Sequence, residues 1–254
     1  MMRTPTIAEQ IAQVREQGFV ILRQWADRAQ CAQWLNAARE ALARHEQPIE
    51  YEADLGYPGA PSSRTAEGGM TVRRLLNAYG RGEPWASLAT HPDIAHWMRQ
   101  YFNETPYLSL AHHNCIMTKH PAYGTLTGWH RDFRYWSFER ADLVSAWMAL
   151  DEEVEENGAL HLIPRSHHLT LDNARFDQKK FFREDLPENQ AVIQQAIVPG
   201  LQAGDLLLFH CNVLHAASQN RREKIKFSPV FTYHAQSNLP LPDSRSAQAG
   251  SIPL

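Results

Sequence analysis

Cysteine is scarce in this 254-residue chain: Cys31, Cys115 and Cys211 are odd in number, far apart and never in a CxxC pair. That excludes a disulfide scaffold and points to a reducing compartment. A dominant charge is missing too. Lys plus Arg number 25 against 28 Asp plus Glu, a formal net charge of −3. No basic field therefore suggests nucleic acid, and no acidic tail suggests a solvating segment. The longest apolar run, Leu143 to Leu150 broken only by Ser145, falls far short of the ~20 residues of a membrane span. The opening MMRTPTIAEQIAQVREQG lacks the apolar centre of a secretory leader. No GxSxG, GxGxxG or phosphate-loop pattern occurs, so hydrolase, dinucleotide and P-loop readings have no support. These absences predict a cytoplasmic globular protein with no nucleic-acid and no membrane partner.

What is present is ample core material, 43% hydrophobic residues, at a length that suits one large domain, 1–254. Ile7, Ile11 and Val14 recur at helical spacing until Gly18, and Phe19 to Leu22 reads as a short strand. From Ala26 to Ala43 the set Cys31, Trp34, Leu35, Ala38 and Leu42 predicts an amphipathic helix. His91-Pro92-Asp93 opens another, running to about Tyr101. Residues 1–105 thus read as a mostly helical elaboration. Within it, 46–71 carries Pro48, Pro58, Pro61 and four glycines with little periodicity, which is the signature of an active-site lid or of a mobile surface loop. Beyond Tyr107 the texture changes to short apolar runs: 108–118, 143–150, 160–164, 191–198, 205–210, 213–217 and 225–233. With turn residues between them and no βα repeat, they predict a mainly β core over 106–236, an antiparallel barrel or double-sheet sandwich with flanking helices. The Pro-rich tail, 237–254, reads as poorly ordered.

The chemistry concentrates in Gly128-Trp129-His130-Arg131-Asp132. On an extended chain residues two apart share a face, so His130 and Asp132 can converge. With a second imidazole they would make the facial triad that suits non-haem iron(II). HxD alone is a weak signal, and a surface His and Asp give the same letters. Two residues compete for the third position. His210 equally reads as a hydrogen-bonded core histidine, whereas His215 precedes the small Ala216-Ala217-Ser218 and is preferred. Lys226 is a lone cation in an apolar strand with Ser228 on the same face. It answers either to a nearby acid or to the remote carboxylate of a dicarboxylate co-substrate. Arg131, Arg134, Tyr135 and Trp136 are candidates for a substrate mouth, with capping of the sandwich edge as the alternative for some. Arg73 and Arg74 read as solvated or, beside the candidate lid, as a grip for an anionic substrate, and His112, His113, His120, His161, His167 and His168 as structural or substrate-facing.

Taken together and in order, these segments resemble the phytanoyl-CoA dioxygenase-like (PhyH) branch of the iron(II)/2-oxoglutarate-dependent oxygenases, from about Asn114 to Tyr233. Trp129-His130-Arg131-Asp132 is similar to the family's W-H-x-D. Ser145 to Asp151 followed by Asn157-Gly158 resembles its mid-sheet strand and turn. Pro164-Arg165-Ser166-His167 matches P-G-S-H except at Arg165, and 204–215 resembles the strand carrying the distal ligand. The resemblance implies a double-stranded β-helix (jelly-roll, cupin-like) core with iron(II) on His130, Asp132 and His215. It implies 2-oxoglutarate as co-substrate, anchored by Lys226 and Ser228 with Asn114 and Trp147 lining its pocket, and O2 as oxidant. Lys226 stands where an arginine is usual, supplying charge without a bidentate fork, and Ala217 where a serine often helps. The implied reaction hydroxylates a small organic metabolite, with conversion of 2-oxoglutarate to succinate and CO2. The Gly/Pro-rich segment before Thr71 and the Arg134 to Trp136 cluster lean towards a polar or anionic one. The carboxylate of Asp132 favours hydroxylation over halogenation. Two rivals differ in class: a cupin-like metal- and ligand-binding protein without redox chemistry, and an iron oxygenase with another co-substrate.

Overall fold

Thr6 opens the first helix with a capping box, its hydroxyl accepting from Glu9 N while the Glu9 carboxylate accepts from Thr6 N. This helix, α1 (Ile7–Gln17), ends at Gly18, whose φ of 90° only glycine adopts freely. In the computed structural model, which describes residue 3 and residues 5–254, the chain continues into β1 (Phe19–Leu22) and α2 (Arg28–Ala43). Residues 1, 2 and 4, part of the segment read for a leader, lie outside the described residues. Helix α2 is capped by Asp27 and buries Cys31, Trp34, Ala38 and Ala41, the face its periodicity predicts.

Next come β2 (Ile49–Tyr51), β3 (Val72–Leu76), α3 (Trp85–Ala89) and α4 (Pro92–Phe102). The first hundred residues are therefore less purely helical than expected, because β1, β2 and β3 all join the main sheet. Nor is 46–71 structureless. It begins with β2 and a 3-10 turn (Glu52–Asp54), and Arg64 ties the turn-rich remainder back through a two-point ion pair to Asp54 at 2.7 and 2.9 Å.

The β region follows as β4 (Pro106–Lys119), β5 (Thr127–His130), β6 (Leu143–Met148), β7 (Leu160–Leu162), α5 (Pro187–Ile193), β8 (Leu206–His210), β9 (His215–Ala217) and β10 (Lys226–Ala235). Two expectations are corrected here. Residues 191–198 are not a strand, because Pro187 at the first helical position starts α5. The tail is ordered: α6 (Arg245–Ala249), capped by Ser244, leads into β11 (Ser251–Pro253), which pairs with the start of β4. Its backbone hydrogen bonds have partners, which the Pro-rich composition concealed.

The main sheet runs β1-β8-β6-β10-β4-β3-β2 with β11 also on β4, and a smaller sheet runs β5-β9-β7. Side chains alternate between two cores, as the strand period of two requires. Leu206, Leu208, Val144, Ala146, Phe227 and Phe231 pack outward beneath the helices. Leu207, Phe209, Trp147, Cys115 and Val230 pack inward, against Leu160 and Leu162 of the smaller sheet. Strands covered on both faces read as continuous apolar runs, which is why LVSAWM carries no alternation. The two sheets make the expected jelly-roll, and the site lies between them. Among the described residues no helix is long and apolar enough to cross a membrane.

Candidate active site

Register brings the first two functional side chains together. β5 and β9 are antiparallel with His130 opposite His215, and the ring centroids are 4.3 Å apart. Arg131 is extended (φ −106°, ψ 133°), which returns Asp132 to the side of His130, although Asp132 already begins a 3-10 turn (Asp132–Tyr135). Asp132 Oδ1 lies 3.4 Å from His130 Nε2 and 3.3 Å from His215 Nε2. One ligand atom from each of the three falls within 4.8 Å of the others.

Each imidazole is oriented by the backbone two residues before it. Nδ1 of His130 donates to Gly128 O at 2.8 Å and Nδ1 of His215 to Val213 O at 3.0 Å. That tautomer leaves the Nε2 lone pairs directed at Asp132. Asp132 is fully buried, and neither carboxylate oxygen receives a well-aligned hydrogen bond from the described residues. An unsatisfied buried carboxylate is costly. A cation seated among these three atoms removes the cost, so the residues fit a metal ion. Two neutral imidazoles and one carboxylate form the donor set that suits iron(II) with positions left open.

The electrostatics are consistent with this. Burial would push the Asp132 carboxyl up, but the imidazoles of His113, His215 and His130 outweigh it and hold it well below the usual carboxylate range. Burial, with His215 adding to it, pushes His130 down to about 4. His215 is also opposed by burial, yet Asp132 raises it. His113, one of the histidines read only as structural or substrate-facing, has Nδ1 3.3 Å from Asp132 Oδ2. Only the course of β4 places it there, and HisHis in a strand gave no spacing to recognise.

A cavity extends from the triad between the sheets, walled by Met117, Trp147, Leu160 and Phe209, with Tyr57 and Tyr135 also in its lining. Phe181 packs on both Tyr57 and His130, with ring centroids at 5.3 and 5.8 Å. The cavity's other end is cationic, with Arg73, Lys119 and Lys226 in its lining. Arg73 and Arg74, read as solvated, are instead largely buried. Strand β3 lies between β2 and β4, and β2 with the 3-10 turn after it supplies an acid for each: Glu52 of the turn at 3.1 Å from Arg73 and Glu50 of β2 at 2.6 Å from Arg74.

The expected co-substrate residues divide. Trp147, Lys226 and Ser228 line the cavity. Asn114 does not; its Oδ1 accepts from Tyr79 N at 2.7 Å on the other face of β4. Lys226 is held by Glu153 at 2.9 Å, an acid the run DEEVEE contains but does not single out. The substrate candidates divide as well. Tyr135 lines the cavity, and the Arg134 guanidinium lies 4.1 Å from the Phe181 ring centroid and 5.1 Å from that of Tyr135. Arg131 points away, donating to Ser166 O and Leu169 O at 2.8 and 2.7 Å, as strand alternation dictates. Trp136 is buried in a satellite core with Phe138 and Leu143, so it caps the sandwich instead. His210 is likewise outside the triad, its Nδ1 accepting from Asn212 N at 3.1 Å.

A jelly-roll carrying a buried His-Asp-His set at the mouth of an internal cavity defines the class of mononuclear non-haem iron oxygenases. The phytanoyl-CoA dioxygenase (PhyH) family matches residues 14–228, and the chain belongs to that family of iron(II)/2-oxoglutarate oxygenases. It is 27% identical to an ectoine dioxygenase of Halomonas elongata over 215 residues, 78% of this chain and 63% of that one. The matched region thus spans under two thirds of that relative. An L-proline trans-4-hydroxylase of Streptomyces griseoviridis is 25% identical over 196 residues, covering 68% of this chain and 71% of that one. Among solved structures, EctD from S. alaskensis superposes with a TM-score of 0.76 at 22% identity, over 95% of this chain and 82% of that one. The epimerase SnoN, solved with Fe3+ and alpha-ketoglutarate, gives 0.75 at 20% identity, over 93% and 86%. Both show that the fold is shared.

Proposed function

We propose that this protein is an iron(II)- and 2-oxoglutarate-dependent oxygenase that hydroxylates a small polar or anionic metabolite. The reading rests on one observation: Asp132, buried without a hydrogen-bond donor, faces two imidazoles whose Nε2 atoms point at it. His130, Asp132 and His215 would hold the iron. Bound there, the metal would let O2 oxidise 2-oxoglutarate and a substrate C–H bond together, giving succinate, CO2 and the C–OH product. Gly128 O and Val213 O keep the imidazoles aimed. Tyr57, Tyr135 and Phe181 exclude water from the mouth, which favours coupled turnover over wasteful side reactions.

Arg134 supports an anionic group on the substrate. It has no carboxylate within salt-bridge reach among the described residues, and its Nη1 is buried without a partner. The names of two relatives, an ectoine dioxygenase and an L-proline 4-hydroxylase, lean towards small charged metabolites. Three buried, unpaired cysteines support a reducing compartment such as the cytoplasm. The test is succinate release by anaerobically iron-loaded protein given 2-oxoglutarate and air, screened for stimulation by small carboxylates and zwitterions. The expected result is a stimulating compound whose KM rises about tenfold or more in Arg134→Ala, with basal succinate release retained. Metal binding with no decarboxylation at all would favour the non-redox binding protein.

A further inference from the structure

β4 and β10 run antiparallel with Lys119 directly opposite Lys226. Residues in such a pair share a face, and both lysines are buried and line the cationic end of the cavity. Two ammonium groups side by side in a low-dielectric pocket repel, so each needs an anion.

Lys226 already has one. Its Nζ donates to Glu153 Oε2 at 2.9 Å, and Ser228 Oγ donates to Glu153 Oε1 at 2.6 Å. Trp147 Nε1 completes the set, at 3.0 and 3.2 Å from the two oxygens. The Glu153 side chain is 1% exposed. This is a closed network in which charge and hydrogen-bonding capacity are satisfied internally. Arg73 and Arg74 are likewise matched by Glu52 and Glu50.

Lys119 differs. Its Nζ donates to the backbone oxygen of Thr125 at 2.6 Å, and no carboxylate of the described residues reaches salt-bridge distance. The fold also makes room for its stem. Gly158, at φ 83°, sits so close that a Cβ there would lie 2.7 Å from Lys119 Cγ. Of the four cations in the cavity wall, this one lacks a counter-charge.

We propose that Lys119, not Lys226, receives the distal carboxylate of the 2-oxoglutarate co-substrate, and that Lys226, Glu153, Ser228 and Trp147 form the rigid wall behind it. The inference rests on the oxygenase reading above. It assigns the resting counter-charge deficit a purpose: the pocket is one anion short until the co-substrate enters. Burial, together with Arg73 and Lys226, pushes the Lys119 ammonium down to about 7, against an opposing pull from Glu52. An incoming carboxylate favours the protonated form, so binding takes up a proton above that pH and affinity falls as pH rises from 7 to 9.

The experiment titrates anaerobic, iron(II)-loaded protein with 2-oxoglutarate, and separately with 2-oxobutyrate, which has the same oxo-acid head but no distal carboxylate. Visible charge-transfer absorbance gives Kd across pH 7 to 9. Wild type is expected to prefer 2-oxoglutarate, with a pH slope that 2-oxobutyrate lacks. Lys119→Met should weaken 2-oxoglutarate about tenfold or more, level the two oxo acids and abolish the slope. The double variant Lys226→Met/Glu153→Gln removes both charges of the wall and should stay within about threefold of wild type at pH 7, with the slope moved to higher pH because Lys226 no longer pushes Lys119 down. Loss of binding in the double variant with wild-type affinity in Lys119→Met would overturn the assignment in favour of Lys226. A Lys119→Met variant that binds 2-oxoglutarate as tightly as wild type and still prefers it over 2-oxobutyrate overturns it as well. Absence of any oxo-acid signal from iron-loaded wild type would instead sink the co-substrate reading, and this inference with it.

Discussion

Asp132 is a buried charge set among imidazoles that orient towards it without donating well-aligned hydrogen bonds. Such a group trades stability for a binding site. Asp132→Asn keeps the shape and removes the charge. Metal-free Asp132→Asn is therefore expected to melt no lower than metal-free wild type, and to lose the upward shift that iron(II) or a redox-inert divalent ion gives wild type. Thermal melts with and without metal test this, and a variant that melts several degrees lower while still responding to metal would reject it. His113 belongs to the same neighbourhood. Burial drives it down to about 4 against the pull of Asp132, so near neutral pH it stands as an uncharged ring beside the carboxylate and not as a competing counter-ion.

At the scale of elements, the distal ligand is positioned by a contact far from it in sequence. Gly18, ending α1, accepts from His210 N at 2.8 Å, and a Cβ at Gly18 would lie 2.4 Å from Val213 Cγ2 and 2.7 Å from His167 Nδ1. Val213 O in turn orients His215. Gly18→Ala would therefore strain a left-handed backbone and push on the segment that aims the ligand. The expected cost is about 2–4 kcal/mol in urea unfolding, with iron(II) affinity reduced as well; a loss under about 0.5 kcal/mol would show that the segment yields without penalty. The β4–β10 ladder works similarly. Its register carries Met117 and Lys119 into the cavity and turns Asn114 out of it, while His113 reaches the cavity from the stretch 110–113 that the register skips. A bulge between Phe231 and Thr232 shifts the pairing partway along, so which face a β4 residue takes cannot be counted from one end.

Over the whole molecule, the C-terminal segment is structural. β11 pairs Ser251, Ile252 and Pro253 with Ser109, Leu108 and Tyr107, and Arg99 donates to Leu254 O at 2.6 Å. Removing residues 244–254 is expected to lower the melting temperature by several degrees and to raise amide exchange at the start of β4, where a disordered tail would leave both unchanged. Much of this architecture was readable because it rests on local rules. Capping residues and helical spacing placed α1, α2 and α4, and apolar runs placed most of the β core. Two residues on one extended segment brought His130 and Asp132 to one side. The small residues after His215 gave the preference for it over His210, and the family resemblance added the jelly-roll. Other features depend on long-range pairing that no local pattern encodes. The pairing of β3 with β2 and the turn after it, which gives Arg73 and Arg74 the carboxylates of Glu52 and Glu50, is one, and β11 fixing a Pro-rich tail is another. The partnering of Lys226 with Glu153, which leaves Lys119 as the cation without a counter-charge, is the third and bears most on function. Sequence determined which residue types were available at the site, since period and spacing act within a single segment. The tertiary structure alone decided which charges neutralise one another, because that depends on how segments 21 to 73 residues apart are brought together.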